Sequence, residues 1–186
     1  MTKKRQFERS IETSDIKNFP PGENAPADCR GVLNIPAVFI SSSPEETFAI
    51  GENFSNLLEK CSIAAFFGPL GSGKTCFIKG IARGLGIAEE ITSPTFGIIL
   101  EYSGTLKNGN SVKVYHIDAY RLRGNDDFYA IGGEEAVFGN GISIIEWSEN
   151  IPDFIAPHAF RIEIEIKSAD KRLIRIYGGQ PPMEHK

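Results

Sequence analysis

Residues 68–75 read Gly-Pro-Leu-Gly-Ser-Gly-Lys-Thr and match the phosphate-binding pattern G-x-x-x-x-G-K-[ST] in full. Glycines suit this chemistry because they let consecutive backbone N–H groups turn toward phosphate oxygens. In such a loop the lysine, here Lys74, reaches the β- and γ-phosphates, and the hydroxyl of the next residue, Thr75, can coordinate Mg²⁺. The pattern therefore predicts that the chain binds a nucleoside triphosphate.

The sequence on either side of this loop supports the same interpretation. The apolar run 62–67 is typical of a buried strand, and residues 76–85 have the character of a helix. A plain glycine turn between a strand and a helix is the alternative, and the strand–loop–helix context makes it the weaker one. The residues of this segment predicted to bind nucleotide are Gly68, Leu70, Gly71, Ser72, Gly73, Lys74, Thr75 and Cys76.

Two carboxylates follow apolar runs at positions where strands are expected to end. Glu146 lies near the end of the run 142–147, and Asp118 ends the run 112–118. A helix cap or a surface charge would be the structural alternative for either. Ligands of α/β sheets lie beyond the carboxyl ends of the strands, so the pair favours function. We predict Thr75 and Glu146 as metal ligands and assign Asp118 to the attacking water or to the hydration shell of the metal; the order between the two acids stays open.

Other residues near these segments admit two interpretations each. Residues 92–96 can form a proline turn or a switch segment that senses the γ-phosphate. For His116, a satisfied core or rim histidine is favoured over a catalytic one. Composition alone favours packing over base stacking for Trp147. Arg121 can contact phosphate or a partner, and a surface salt bridge is equally compatible with its position.

Composition narrows the class of protein. The chain has 186 residues, a net charge of −4 and 41% hydrophobic residues, which predicts one ordinary globular domain. The net negative charge argues against a chain that binds nucleic acid without a partner, because neutralising phosphates requires a basic face. No apolar run approaches the length of a membrane span, and the basic N-terminus is not followed by the apolar segment of a secretory signal. Three cysteines without a C-x-x-C pair fit reduced thiols, so we expect a cytoplasmic protein.

The chain divides into three parts by composition. Residues 1–35 mix charges with prolines and glycines and show no sustained period, so they are predicted to be a flexible leader, disordered or partner-binding. Residues 36–178 are predicted to form the nucleotide-binding domain, and 179–186 a C-terminal tail. The run 35–40 is a candidate edge strand, because Pro36 has no N–H to donate.

Local signals within the domain predict its elements. Ser43 with Glu46 forms a helix-start pattern, and an Asn-Gly turn at 108–109 predicts that strands 97–102 and 112–118 pair antiparallel. Residues 160–166 alternate strictly and predict a second hairpin with 172–177. The fold class expected is α/β: a three-layer P-loop NTPase-like domain, with a mixed central sheet flanked by helices and antiparallel hairpins.

Four segments of the ordered part of the chain, which runs from about residue 43 to 177, occur in an order found in a known family. They are 68–75, 92–96, 116–122 and 145–147. They resemble TsaE, the small bacterial P-loop ATPase of tRNA threonylcarbamoyladenosine biosynthesis. The phosphate loop alone is shared by many P-loop proteins, whereas the Ser-Pro-Thr-Phe, Asp-x-Tyr-Arg-Leu and Glu-Trp segments at these spacings are specific.

The resemblance implies roles for particular residues. Lys74 and Thr75 would hold phosphate and Mg²⁺, and Glu146 would be the Walker B-like magnesium residue. Thr95 and Trp147 become nucleotide-binding neighbours in the active site. The catalytic residues expected are Lys74, Asp118 and Glu146, with Mg²⁺ as cofactor and ATP or ADP as the bound nucleotide.

The resemblance also implies partners. Family members act with a transferase complex, a catalytic subunit and its paralogous partner, that modifies the adenosine next to the anticodon of certain tRNAs. ATP hydrolysis is expected to be slow in the isolated protein, stimulated by the complex, and used to reset it, with only indirect or weak contact to tRNA.

The departures of this sequence from the family's pattern are small: Pro69 replaces a commoner acidic residue and Ala119 a commoner leucine. A basic contact to nucleotide from Lys171 or Arg172 is left open.

Two other functions remain open from the residues alone. A P-loop kinase for a nucleoside or small metabolite would carry an arginine-rich lid, and the cluster at 121–123 is followed by the acidic pair 126–127. A nucleotide-gated binding module would not need hydrolysis at all. The preference for ATP over GTP rests on the resemblance, since no N-K-x-D guanine motif is apparent.

Overall fold

The computed structural model describes residues 16–18, 36–92 and 98–178. Its strands are β1 Ile16–Asn18, β2 Ala37–Ser41, β3 Ile63–Phe67, β4 Ile99–Thr105, β5 Ser111–Asp118, β6 Ile142–Glu146, β7 Phe160–Ile166 and β8 Arg172–Gly178. Its α-helices are α1 Pro44–Phe54, α2 Lys74–Gly84, α3 Asn125–Ala130 and α4 Gly133–Phe138. Short 3₁₀ turns occupy Ser55–Leu57, Ser148–Asn150 and Pro152–Phe154.

The described strands form one mixed sheet in the order β1-β2-β8-β7-β3-β6-β5-β4. The central strands β7, β3, β6 and β5 are parallel to one another. Both predicted hairpins are present, since β4 pairs antiparallel with β5 and β7 with β8. The predicted α/β fold with a mixed central sheet is therefore confirmed.

The N-terminal edge of the sheet differs from the sequence-based expectation. Residues 16–18, within the predicted leader, pair in parallel with β2. The edge-strand prediction for 35–40 was wrong, because β2 lies between β1 and β8. Pro36 stands one residue before β2 and so removes no hydrogen bond from its ladder. The remainder of 1–35 and the tail 179–186 lie outside the described residues, so the predicted domain limits stay predictions.

Two apolar clusters cover the two faces of the sheet. On one face, α1 and α2 pack against alternate residues of the central strands, such as Phe66 and Ile144. On the other, α3 and α4 pack against the residues in between, such as Ile63 and Ile145. Because successive strand residues point to opposite faces, this alternation produces the predicted three layers.

Helices α1 and α2 approach closely through glycines. A Cβ at Gly80 would lie 2.1 Å from the carbonyl oxygen of Phe48, and one at Gly51 would lie 2.1 Å from that of Phe77. The rings of Phe54 and Phe77 meet edge-to-face beside this crossing, with centroids 5.7 Å apart. This contact fixes α2, and with it the phosphate loop, against α1.

The predicted start of α1 is also present. The Ser43 hydroxyl accepts a hydrogen bond from the Glu46 backbone N–H at 3.2 Å, and the Glu46 carboxylate accepts one from the Ser42 N–H at 2.6 Å. These contacts satisfy donors that a helix start leaves free.

None of the helices in the described ranges is long and apolar enough to cross a membrane.

Candidate active site

Three parallel strands bring the candidate residues to one edge of the sheet. β3 ends at the phosphate loop, and β6 and β5 end at Glu146 and Asp118. In the observed register, Glu146 is paired with Asp118 on one side and with Phe66 on the other. The two predicted acids therefore lie side by side, next to the strand that leads into the loop.

The loop enters α2 through a conformation that glycine adopts without strain. Gly73 has φ 104° and ψ 15°, in the left-handed region that side chains disfavour. The next residue, Lys74, is 4% exposed. Its ammonium donates hydrogen bonds to the carbonyl oxygens of Gly68 at 2.7 Å and Pro69 at 3.1 Å. The Lys74 ammonium therefore lies against the backbone at the start of its own loop.

The surroundings of Lys74 are both apolar and acidic. Its Nζ lies 3.9 Å from the centroid of the Trp147 ring, a distance suited to a cation–π contact. Burial lowers the pKa of Lys74, and the negative charges of Glu146, Glu149 and Asp118 oppose that shift. A partly desolvated cation of this kind interacts more strongly with an incoming phosphate than an exposed lysine does.

Thr75 and Glu146 are in direct contact. The Thr75 hydroxyl donates to the two carboxylate oxygens of Glu146, at 3.2 Å for Oε1 and 3.1 Å for Oε2. Glu146 is 3% exposed, and Oε1 also lies 3.0 Å from Nε2 of His116. A hydroxyl and a carboxylate are hard oxygen donors, and both belong to groups that Mg²⁺ prefers.

Trp147 has an unusual backbone for its residue type. Its φ of 59° and ψ of 42° place it in the left-handed region, immediately after β6. Such a conformation in a bulky residue is strained and is typical of functional sites. The turn directs the indole toward Lys74, and the ring of Tyr120 packs on it with centroids 4.8 Å apart.

Asp118 is oriented by the turn that follows β5. Its Oδ1 accepts a hydrogen bond from the Tyr120 backbone N–H at 3.0 Å. The Ala119 N–H bonds to the carbonyl oxygen of Glu146 at 3.0 Å, which ties the ends of β5 and β6 together. Asp118 is half-buried, so its carboxylate borders the site without being enclosed in it.

A cavity of about 220 Å³ lies beside the loop. The start of α1, the first turn of α2 and the β7–β8 hairpin enclose it, and its lining includes Pro44, Gly71–Gly73, Cys76 and Arg172. Arg172 donates to the carbonyl oxygens of Ser72 at 3.0 Å and Gly71 at 3.3 Å. Burial raises the pKa of the Cys76 thiol, and this thiol donates to the Pro44 carbonyl oxygen at 3.1 Å.

The structure brings most, but not all, of the predicted residues together. Lys74, Thr75, Glu146 and Trp147 are joined by direct contacts, and Asp118 is adjacent. The predicted nucleotide-binding residues Gly68, Gly71, Ser72 and Gly73 form the loop, and Cys76 lines the adjacent cavity. Leu70 is 79% exposed and points away from the packed part of the site. Thr95 and most of the predicted switch segment lie outside the described residues.

Two side chains contact the site in ways that the sequence did not indicate. His116 is buried, as the core interpretation predicted, and its Nε2 contacts the Glu146 carboxylate. Arg172 supports the loop through carbonyl contacts that cross about a hundred residues of sequence. The two-residue spacing of His116 and Asp118 places both side chains on one face of a strand, and this sequence signal could have identified the first. No local pattern indicates the second.

The donors present fit a magnesium ion only together with a nucleotide. Thr75 and Glu146 supply suitable oxygen groups, but the described residues contain no cluster of three or more His, Cys, Asp and Glu side chains that could hold a metal. Mg²⁺ in nucleotide sites is usually held by one or two protein groups, phosphate oxygens and water. The site therefore suits a metal that arrives with phosphate.

Comparison with known proteins places the chain in a family. The family model described as "Threonylcarbamoyl adenosine biosynthesis protein TsaE" matches residues 41–174. A TsaE protein of Treponema pallidum is 39% identical over 137 residues, covering 74% of this chain and 97% of the relative. A TsaE protein of Bacillus subtilis is 36% identical over 132 residues, covering 71% and 79%. Both relatives are named as tRNA threonylcarbamoyladenosine biosynthesis proteins.

A solved structure agrees with these matches. The crystal structure of YdiB from Bacillus subtilis superposes with a TM-score of 0.58 at 30% sequence identity, covering 81% of this chain and 90% of that one. The matched range 41–174 includes the phosphate loop, Asp118 and the Glu146–Trp147 pair. The chain belongs to the TsaE family of tRNA threonylcarbamoyladenosine biosynthesis proteins.

Proposed function

We propose that this chain binds ATP and ADP with Mg²⁺ and hydrolyses ATP slowly, in support of the threonylcarbamoyl modification of tRNA adenosine next to the anticodon. The contact between Thr75 and Glu146 carries the proposal. It joins the last residue of a phosphate loop to a buried carboxylate on a neighbouring strand, as a magnesium nucleotide requires. The names of the relatives support the pathway.

The residues of the loop would bind the phosphates. Backbone N–H groups of 71–75 lie at the start of α2, where the helix dipole favours an anion. Lys74 would exchange its carbonyl contacts with Gly68 and Pro69 for phosphate oxygens. Its burial, which lowers its pKa, and the adjoining indole leave the ammonium partly desolvated, so less water must be displaced than from an exposed lysine.

The two acids would divide the remaining work. Glu146, held against Thr75, would contribute a carboxylate oxygen to the magnesium ion or to its water shell. Asp118, on the neighbouring strand and more exposed, would orient the attacking water or hold the outer hydration shell. The bound metal would neutralise charge that develops on the phosphates.

A partner is part of this proposal. In the described residues, Lys74 and Arg172 are the cationic side chains that contact the loop, and Arg172 is engaged with loop carbonyls. Arg121, beside the site in sequence, is exposed. Slow turnover is expected when no further cation stabilises the transition state, and a partner can supply one in trans. The proposed partner is the tRNA threonylcarbamoyl transferase complex, with its catalytic subunit and paralogous subunit.

The variant Glu146→Gln tests this function. We expect ATP hydrolysis, measured with the transferase complex present, to fall about 100-fold, since even outer-shell partners of a metal cost about 10–100-fold. ATP affinity measured in EDTA should change little. The exposed Glu59→Gln, before the start of β3 and so at the end of that strand away from the loop, serves as the matched control. Rapid hydrolysis by the isolated wild type that the complex does not stimulate, or transfer of phosphate to a small acceptor, would contradict the proposal.

A further inference from the structure

We propose that His116 is a positioning residue, which fixes the Glu146 carboxylate so that one oxygen faces Thr75 and the metal-binding edge of the phosphate loop. The inference rests on the proposed function, because it concerns how Glu146 is presented to a magnesium nucleotide. It assigns a functional role to a side chain that the sequence predicted to be a satisfied core or rim histidine.

The pair is isolated from solvent. His116 is 1% exposed and Glu146 is 3% exposed, and Nε2 of the first lies 3.0 Å from Oε1 of the second. An ionised carboxylate only accepts hydrogen bonds, so Nε2 must carry the hydrogen and act as donor. Buried polar atoms without partners are costly, which makes this contact specific.

The other ring nitrogen supports the same role. Nδ1 of His116 is buried and has no hydrogen-bond partner. The contact with Glu146 is therefore the one hydrogen bond that the imidazole makes in the described structure. A histidine needed only to fill volume could be replaced by an apolar side chain without leaving a polar atom unpaired. In this ring the one satisfied nitrogen is the nitrogen that faces the acid.

The geometry divides the two carboxylate oxygens between two partners. Oε1 accepts from His116 as well as from Thr75, whereas Oε2 accepts from Thr75 alone, at 3.1 Å. The Thr75 hydroxyl has a single hydrogen, so if one of its lone pairs coordinated a metal it would still donate to at most one carboxylate oxygen. His116 would continue to hold Oε1, and Oε2 would stay directed at the loop. Without this donor, the carboxylate would be free to rotate about its terminal torsion, which is broad in glutamate.

The backbone makes the arrangement rigid. His116 and Glu146 lie on adjacent parallel strands, and the register pairs His116 with Ile144 and Asp118 with Glu146. Residues of one parity on both strands share a face, so His116 lies on the same side of the sheet as the two acids. Outer-shell partners of this kind orient metal-binding groups, and their loss typically costs about 10–100-fold in metal affinity or activity.

A matched pair of substitutions separates positioning from packing. In His116→Gln the amide nitrogen can occupy the place of Nε2 and donate to Glu146. His116→Met has a similar length and volume and no donor. The readout is the Mg²⁺ dependence of ADP affinity, measured by calorimetry and by the fluorescence of Trp147, the one tryptophan of the chain. Thermal unfolding of each variant reports whether the fold is retained.

We expect His116→Met to bind ADP in EDTA within about twofold of wild type, and to lose about 10-fold or more of the affinity gained on adding Mg²⁺. His116→Gln should recover most of that gain. In a Glu146→Gln background, His116→Met should have no further effect on the Mg²⁺ dependence, because the group it orients is gone.

Equal Mg²⁺ dependence in wild type, His116→Met and His116→Gln would overturn the inference, as would equal losses in the two variants. If His116→Met does not fold, His116→Asn replaces it: its amide is one carbon too short, so it should lose the Mg²⁺ effect that His116→Gln keeps. Failure of the proposed function is distinguishable, because then wild type and Lys74→Ala would bind nucleotide equally weakly.

Discussion

At the scale of single residues, the site depends on how Lys74 and Glu146 are buried. Lys74 is enclosed by loop carbonyls and the Trp147 ring, and Glu146 by Thr75 and His116. Each is 4% exposed or less. Burial without these partners would be costly for either charge. Each charge instead meets a group of matching polarity, and in the proposed function the same charge would contact a nucleotide or its metal.

The lowered pKa of Lys74 predicts a pH dependence of nucleotide binding. In the free protein, burial moves the pKa of Lys74 below its ordinary value of 10.5, while bound phosphate would retain the proton. By linkage, ADP affinity falls as pH rises through the pKa of the free protein. Titrations in EDTA from about pH 7 to about pH 10, a range below the ordinary lysine pKa, should show this fall.

Lys74→Ala is the control for that titration. Removal of its charged hydrogen bonds should weaken ADP binding by about 10–100-fold, equivalent to about 1.5–3 kcal/mol. The residual binding should be independent of pH over the same range. A wild-type affinity that stays constant to the alkaline limit would contradict the assignment of Lys74 to the phosphates.

At the scale of elements, the close crossing of α1 and α2 fixes the position of the loop. Gly80 and Gly51 let the helices approach until backbone atoms touch, and Phe54 and Phe77 pack beside them. Arg172 from β8 ties the opposite side of the loop to the β7–β8 hairpin. The phosphate loop is therefore held from two sides by elements distant in sequence.

Gly80→Ala tests the helix crossing. The added methyl group would lie 2.1 Å from the Phe48 carbonyl oxygen, so the helices must separate. We expect a loss of about 1–3 kcal/mol in the free energy of unfolding, the usual cost of overpacking. Lys79→Ala, at the neighbouring exposed position of α2, should change it by less than about 0.5 kcal/mol. Equal denaturant midpoints for the two variants would show that the crossing is not tight.

At the scale of the whole molecule, ligand binding and stability should be coupled. A nucleotide that bridges the ends of β3, α2 and β6 binds the folded state alone. At about 100 times its dissociation constant it should add about 2.7 kcal/mol to the free energy of unfolding. For a domain of this size each kcal/mol raises Tm by about 2–4 °C.

Thermal unfolding with ADP and Mg²⁺ measures this coupling. We expect Tm to rise with nucleotide concentration in wild type and in Glu59→Gln, and to rise by a smaller amount for Lys74→Ala at the same concentrations, because that variant binds more weakly. A shift in Lys74→Ala as large as that of wild type would place the nucleotide elsewhere on the molecule.

Much of the fold followed from local pattern. The Asn-Gly turn predicted the β4–β5 hairpin, and the strict alternation of 160–166 predicted β7. Ser43 marked the start of α1. The edge assignment of β2 failed, because Pro36 precedes the strand and residues 16–18 pair with it. Strand order depends on contacts between distant segments, which periodicity does not encode.

The sequence by itself determined the phosphate loop, the two acids at strand ends and the family. These depend on residue type at fixed local spacing, which a strand–loop–helix unit translates directly into geometry. Tertiary structure alone decided that Glu146 meets Thr75 and His116 and that Trp147 covers Lys74. Those contacts join residues 30 to 73 positions apart, and they arise from strand register and a strained turn that no single segment specifies.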